Sequence, residues 1–402
     1  MTLGLSPHDL SALEQFRSRV LGDEALQSEL SRVGELGRFA ELACGAALAR
    51  GIDLSRDAML AATKPDPLGV SRWSAALANG VDWPAKDWLP IHVTPAFGGP
   101  PRVDWAHFAG ERLTEPFFES SLRRALGRPF NRMVSYRTTL DDFVARARLD
   151  EALAPDGFVF HMSRCGSTLV AQMLAASPHN IVVSEAPPLD AIVQLGSYWP
   201  ALPLVDQARI LVAMVAALGR KRSGKERHYV VKLDSWHTLA LPLFRQAFPT
   251  VPWVFLYRDP VEVLVSQMRE RGLQTVPGAL PPSLFGIEAG EAMRGEEYCA
   301  RVLEKICGAA LNNFALGGGL LVNYEALPGA VWSKILPHFG LVHGEDDHAE
   351  MRRAAGRDAK APHSAFISDT TEKQRQASDL IRAAAQRHLD AAYRKLEALR
   401  LA

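Results

Sequence analysis

The sequence predicts an α/β chain: a parallel sheet flanked by helices, with a helical region at the N-terminus. Three observations carry this. Five short apolar runs, at 158–160, 181–183, 229–232, 253–257 and 320–323, have the length and the β-branched or aromatic content of buried strands. Segments with helical spacing of apolar residues separate them, at 168–176, 203–218, 238–247, 260–271 and near 288–315. Residues 8 to about 63 repeat apolar side chains at helical spacing alone: Leu10, Leu13, Phe16 and Val20, then Leu26, Leu30 and Val33, then Phe39, Leu42 and Ala46. Strand and helix in alternation give parallel strands covered on both faces, and such sheets bind ligands at the carboxyl edges of their strands.

The elements follow in order. In the N-terminal region Asp53 and Ser55 are placed to cap a further helical turn. Residues 64 to about 110 are rich in Pro, Gly and Trp, including Pro65, Pro67, Trp73, Trp83, Trp88, Pro90 and Trp105, which favours irregular packed structure over long elements. Arg123, Arg124, Arg128, Arg132 and Arg137 come next, a stretch suited to an acidic substrate or a nucleotide but more simply read as a solvated helix face. The expected organisation is therefore 1–66 helical, 67–150 a Pro/Trp-rich and basic connection, and 151–402 the α/β region.

The chemistry concentrates at two strand ends. Phe158-Val159-Phe160-His161-Met162 runs into Ser163-Arg164-Cys165-Gly166-Ser167-Thr168 and then the helical Leu169, Met173, Leu174. A strand that ends in such a turn aims backbone N–H groups and a helix N-terminus at an anion. The turn lacks the G-x-x-x-x-G-K-[ST] spacing of ATPases and GTPases, since Gly157 lies nine residues before Gly166 and its cation is two residues upstream of the glycine. The second end is Trp253-Val254-Phe255-Leu256-Tyr257-Arg258-Asp259-Pro260, with Ser266 eight residues past Arg258, a planar cation and a hydroxyl suited to a second phosphate.

Taken together, these motifs resemble those of the sulfotransferases that use 3′-phosphoadenosine-5′-phosphosulfate (PAPS), most closely the tyrosylprotein and bacterial branches. The resemblance covers residues 151 to 402. It implies a P-loop-type sheet and a sulfuryl transfer to an acceptor hydroxyl or amine without a metal. It implies that Arg164 and the backbone of Cys165, Gly166, Ser167 and Thr168 hold the donor's 5′-phosphosulfate and that Arg258 and Ser266 hold its 3′-phosphate. By the same likeness Tyr324, in Tyr324-Glu325-Ala326-Leu327, lies near the nucleotide, and Arg357 or Lys360, in Gly356-Arg357-Asp358-Ala359-Lys360, touches the 3′-phosphate. Lys232 ends its strand as the family's catalytic lysine does. Glu185, 21 residues past Arg164, is the expected base, raised toward working range by partial burial, while Asp234, two residues after the lysine, competes for that role. The stretch from "LEQFRSRVLGDEALQSEL" to "GIDLS" resembles the small leader-like helical domain named for nitrogen-fixation proteins.

Composition sets the remaining bounds. Lys+Arg and Asp+Glu balance at 45 each, so no global basic field points to nucleic acid and any anion site has to be local. Cys44, Cys165, Cys299 and Cys307 form no C-x-x-C pair, and no run of about 18 apolar residues occurs. A cytoplasmic protein without a membrane span is expected. Cys165 is expected to pack quietly, and His338, His343 and His348, five apart, are expected to point apart on a helix. The acceptor, whether small molecule, sugar or peptide, is not spelled out. A nucleotide-dependent kinase and a peptide-binding scaffold with a degenerate sulfotransferase fold are the alternatives.

Overall fold

The computed structural model of the chain describes residues 5–65, 78–80, 82–94, 100–288, 290–357 and 369–401. The chain divides into two compact units. One comprises Met1–Arg112, Phe118–Ala152 and Ala213–Gly224, the other Leu113–Phe117, Leu153–Val212 and Lys225–Ala402.

The first unit opens on α1 (Pro7–Leu21), where the Ser6 hydroxyl accepts the Asp9 N–H and Pro7 occupies the first turn. Leu13, Phe16 and Val20 line its buried face at the predicted spacing. The helices α2 (Glu24–Ser31), α3 (Leu36–Leu48) and α4 (Arg56–Ala62) follow, and Ser55 caps the last as its position predicts. The Pro- and Trp-rich stretch is more regular than expected. It supplies β1 (Ala78–Gly80), β2 (Trp88–Thr94) and β3 (Arg102–His107); after α5 (Phe118–Gly127) and α6 (Pro129–Met133), β4 (Tyr136–Thr139) completes a sheet of order β1-β4-β3-β2, followed by α7 (Leu140–Ala145).

Tryptophans hold this small sheet rather than break it. Their indole N–H groups are all bonded: Trp88 to Gln27 Oε1 at 2.9 Å, Trp83 to the Phe143 carbonyl at 2.8 Å, and Trp105 to Thr138 Oγ1 at 3.1 Å. The arginine stretch divides between surface and core. Arg123 is exposed, whereas Arg137 is buried against Asp104 at 2.5 Å, so a solvated face describes only part of it.

In the second unit the predicted strands all form. They are β5 (Gly157–His161), then, after α8 (Ser167–Ala176), β6 (Asn180–Ser184). Past α9 (Pro187–Tyr198) and α10 (Leu204–Leu218) comes β7 (His228–Lys232); α11 (Leu241–Ala247) leads to β8 (Trp253–Tyr257). Beyond α12 (Pro260–Arg269) and α13 (Gly295–Asn313), β9 (Gly319–Asn323) closes the set. The order is β6-β7-β5-β8-β9 and all pairings are parallel. Every residue of β5, β6 and β8 is buried, as strands covered on both faces require. The helix expected near 288 starts only at Gly295, after Gly290 takes a φ of +83° that a helix cannot carry. The one expected over 238–247 is split into a 3₁₀ segment, Ser235–Ala240, and α11.

The histidines at 343 and 348 do not diverge, because His343 precedes the helix Glu345–Ala355 instead of lying on it. Its ring lies 6.2 Å from that of His348 and 5.2 Å from that of His228. His338 stands apart, bonded to the Trp253 and Gly318 carbonyls. Among the described residues no helix is long and apolar enough to cross a membrane.

Candidate functional site

The carboxyl ends of the five parallel strands bring the chemistry-bearing residues to one edge. Leaving β5, the chain turns through Ser163 (φ +80°), Arg164 (φ +52°) and Gly166 (φ +85°) before α8 begins. Two residues with side chains held at positive φ, beside a glycine, mark a turn whose backbone shape is enforced by its surroundings. Gly166 is required there: a Cβ would meet Leu327 Cδ1 at 2.8 Å and Tyr324 Cδ2 at 2.9 Å. No side chain caps α8 at Gly166, so its first-turn N–H groups face the turn uncapped. Ser167 and Thr168 are the first two residues of that helix and both are buried. Cys165 points away, its thiol donating to the Leu256 carbonyl at 3.1 Å, and burial pushes that thiol up to about 12.

Arg164 turns toward α12. Its Nε donates to Ser266 Oγ at 2.9 Å and Nη2 to Glu270 Oε2 at 2.7 Å. On the same helix Gln267 Nε2 donates to Ser163 Oγ at 3.0 Å, and Glu262 accepts from Arg258 Nε at 2.6 Å. Ser266 is thus bonded to Arg164. Arg258, 4% exposed, lies with its guanidinium carbon 3.9 Å from the centre of the Tyr324 ring and also meets Asp369 at 2.8 Å.

On the neighbouring strands, Glu185 follows β6 with a φ of +52° and Lys232 ends β7. The Lys232 ammonium, wholly buried, donates to Glu185 Oε1 and lies 5.2 Å from the centre of the Phe117 ring. His161 sits beside this pair. Its Nδ1 accepts the Ser163 N–H at 3.0 Å, which leaves the proton on Nε2 to donate to the Leu233 carbonyl at 2.9 Å, with Glu185 Oε1 3.4 Å away. Burial alone raises the Glu185 carboxyl, but the Lys232 ammonium and the His161 ring outweigh it and hold the carboxyl down to about 2. The expectation that burial lifts Glu185 is therefore corrected: its cation partner, 47 residues further along the chain, wins.

Asp234 is bound differently. It precedes the 3₁₀ segment without capping it, and burial, with Glu185 and Asp190 nearby, pushes its carboxyl up to about 7 despite His237. His237 Nε2 lies 2.9 Å from Asp190 Oδ1 and 3.7 Å from Asp234 Oδ2, and Trp236 Nε1 donates to Asp190 at 2.6 Å. Ligand atoms of Asp190, Asp234 and His237 all lie within 4.8 Å of one another, a spacing that a metal ion can use, while only the 2.9 Å contact of His237 with Asp190 is short enough to share a proton.

Arg357 is exposed just past the helix Glu345–Ala355, and Lys360 lies outside the described residues. The sequence motifs do not single out His161, Asp190, His237, Glu262, Glu270, Asp369 or Lys373, which the structure places at this edge. Of these only His161 carried a signal, being the last residue of the strand that feeds the turn.

No family model matches the chain, and no curated protein does. Solved structures that it is similar to include sulfotransferase STF9 from Mycobacterium avium, at 12% identity over 63% of this chain and 81% of that one, with a TM-score of 0.38. The sulfotransferase domain of the olefin synthase of Synechococcus PCC 7002 is 15% identical over 62% of this chain and 95% of that one, at a TM-score of 0.34. Sulfotransferase STF1 from Mycobacterium tuberculosis H37Rv is 14% identical over 68% and 85%, at 0.36.

Proposed function

We propose that the second unit is a PAPS-dependent sulfotransferase that moves a sulfuryl group in line to an acceptor hydroxyl or amine. The observation that carries this is the pairing, at one sheet edge, of an enforced anion turn at Ser163–Gly166 with a wholly buried lysine ion-paired to a carboxylate on the adjacent strands. A scaffold has no need to bury an ammonium, since a hydrophobic pair of the same volume is as stable or more so. Donor chemistry fits the residues present: the turn leaves no space for a side chain at Gly166, and Arg164 and Arg258 supply two separate cations.

PAPS when bound supplies an activated sulfuryl group. Around it, the N–H groups of residues 165–168 and the hydroxyls of Ser167 and Thr168 hold the 5′-phosphate, Arg164 adds charge, and Arg258 with Tyr324 holds the 3′-phosphate end. Lys232 has two anions to choose between. Negative charge on the leaving oxygen would draw the ammonium off Glu185, and burial, then opposed by the His161 ring alone, would let the carboxyl rise and accept the acceptor's proton. Glu185 is thereby a weak base until the moment it is needed. Asp234 is the rival base, because its carboxyl already sits near neutrality.

The free thiols of Cys44, Cys165, Cys299 and Cys307 support a reducing, cytoplasmic setting. Calorimetry tests the donor assignment. Adenosine 3′,5′-bisphosphate should bind at least about tenfold more tightly than ATP, and Arg258→Ala should weaken it by about 1.5–3 kcal/mol, the worth of a charge-assisted contact. Equal affinity for the two nucleotides sinks the reading.

A further inference from the structure

The group that answers Arg258 from the solvent side is a carboxylate with two cations, not one. Asp369 Oδ1 meets Arg258 Nη2 at 2.8 Å and Asp369 Oδ2 meets Lys373 Nζ at 2.8 Å. Both cations are deeply buried, Arg258 at 4% and Lys373 at 5% exposed, whereas the Asp369 side chain keeps 42% of its surface in solvent. Thr370 completes the arrangement, accepting from Arg258 Nη2 at 3.3 Å and donating to Glu262 at 3.2 Å.

Charge arithmetic makes this unusual. Arg258 and Lys373 contribute two positive charges, Glu262 and Asp369 two negative ones, so the cluster is neutral while Asp369 is in place. Glu262 is 4% exposed and fixed on α12 beneath the guanidinium; Asp369 is the exposed member and the one able to leave. Withdrawal of Asp369 leaves a net positive charge and two oriented cations at one point. That is the donor set of a phosphate site.

Resting on the donor reading above, we propose that Lys373 is a second cation of the 3′-phosphate subsite and that Asp369 is a built-in competitor, a carboxylate that holds both cations until a phosphate displaces it. The apparent affinity for the donor is then reduced by the fraction of molecules in which Asp369 still occupies the cations. A ligand without a 3′-phosphate has nothing to gain from displacing it.

The experiment measures binding of adenosine 3′,5′-bisphosphate and adenosine 5′-monophosphate to wild type, Asp369→Asn, Asp369→Ala and Lys373→Met by calorimetry. Both Asp369 variants should bind the bisphosphate about three- to thirtyfold more tightly, with the monophosphate changed less than about twofold. Lys373→Met should bind the bisphosphate about tenfold or more weakly, again without effect on the monophosphate. Bisphosphate affinity that is unchanged or weaker in both Asp369 variants overturns the competitor. An unchanged affinity in Lys373→Met, in a protein whose melting temperature is retained, overturns the second cation. Wild type that fails to prefer the bisphosphate over the monophosphate would instead refute the donor site itself.

Discussion

A double-mutant cycle on Glu185 and Lys232 reads the central ion pair directly. In Glu185→Gln the ammonium of Lys232, with no exposed surface, keeps only an amide oxygen for a partner. Removing one member of a buried pair destabilises by about 3–5 kcal/mol, and the fully enclosed position of Lys232 places this variant within that range. Lys232→Met should lose less, about 1–3 kcal/mol, because the Glu185 side chain retains 22% exposure and can take a proton. The double variant buries no charge at this point, so it should lose about 2–3 kcal/mol less than the sum of the singles. Urea unfolding of the four proteins at pH 7 supplies the numbers. Additivity within about 0.5 kcal/mol would refute the pair as an energetic unit. Acid unfolding adds a sign. With its carboxyl held at about 2 against an ordinary 4.5, Glu185 contributes stability that is full above 4.5 and lost as pH falls through about 2. In Lys232→Met that limb should move to higher pH, since the ammonium that holds the carboxyl down is gone.

Three further outcomes are expected. Glu185→Gln should lower sulfuryl transfer, measured first as slow PAPS hydrolysis, by about 10²–10⁴-fold while leaving bisphosphate affinity nearly intact, with Asp234→Asn less affected; the reverse order would make Asp234 the base. Asp234→Asn should also flatten the stability profile, because a carboxyl raised from 3.8 to about 7 loses stability as pH climbs through that interval. Gly166→Ala, with its φ of +85° and a Cβ 2.8 Å from Leu327, should abolish measurable bisphosphate binding in a protein that still unfolds cooperatively; retained affinity would show that the turn is not the anion site.

What was legible in the sequence was whatever is written locally. The strands of the parallel sheet announce themselves as apolar runs because both faces of each are covered, and the turn at 163–166 follows one of them directly. β2 was hidden because Trp88-Leu89-Pro90-Ile91 shows no alternation and contains a proline; the pairing with β3 shifts between Pro90 and His92, an irregularity that accommodates it. Partners distant in sequence were hidden too. Nothing beside Glu185 names Lys232, nothing beside Arg258 names Asp369 or Lys373, and nothing beside Asp234 names Asp190. The histidines misled because spacing was read on a helix that begins two residues after His343. Arg137 misled because a charge run predicts exposure only until Asp104 is brought to it by the sheet.

Helix α12 and the residue that follows it meet this edge of the sheet at four points: Glu262 to Arg258, Ser266 and Glu270 to Arg164, and Gln267 to Ser163. Glu262 and Ser266 are four residues apart and share one face of the helix, and Glu270 follows its last residue. Inserting a single residue near Val263 would swing everything beyond it by about 100° and detach Arg164 and Ser163 together while sparing Arg258. Variation in this protein should therefore be inherited in blocks: a chain that recruits a different donor has to exchange the helix and the turn at once, and a graft of the turn alone would arrive without the frame that keeps Ser163 and Arg164 in their unusual backbone angles.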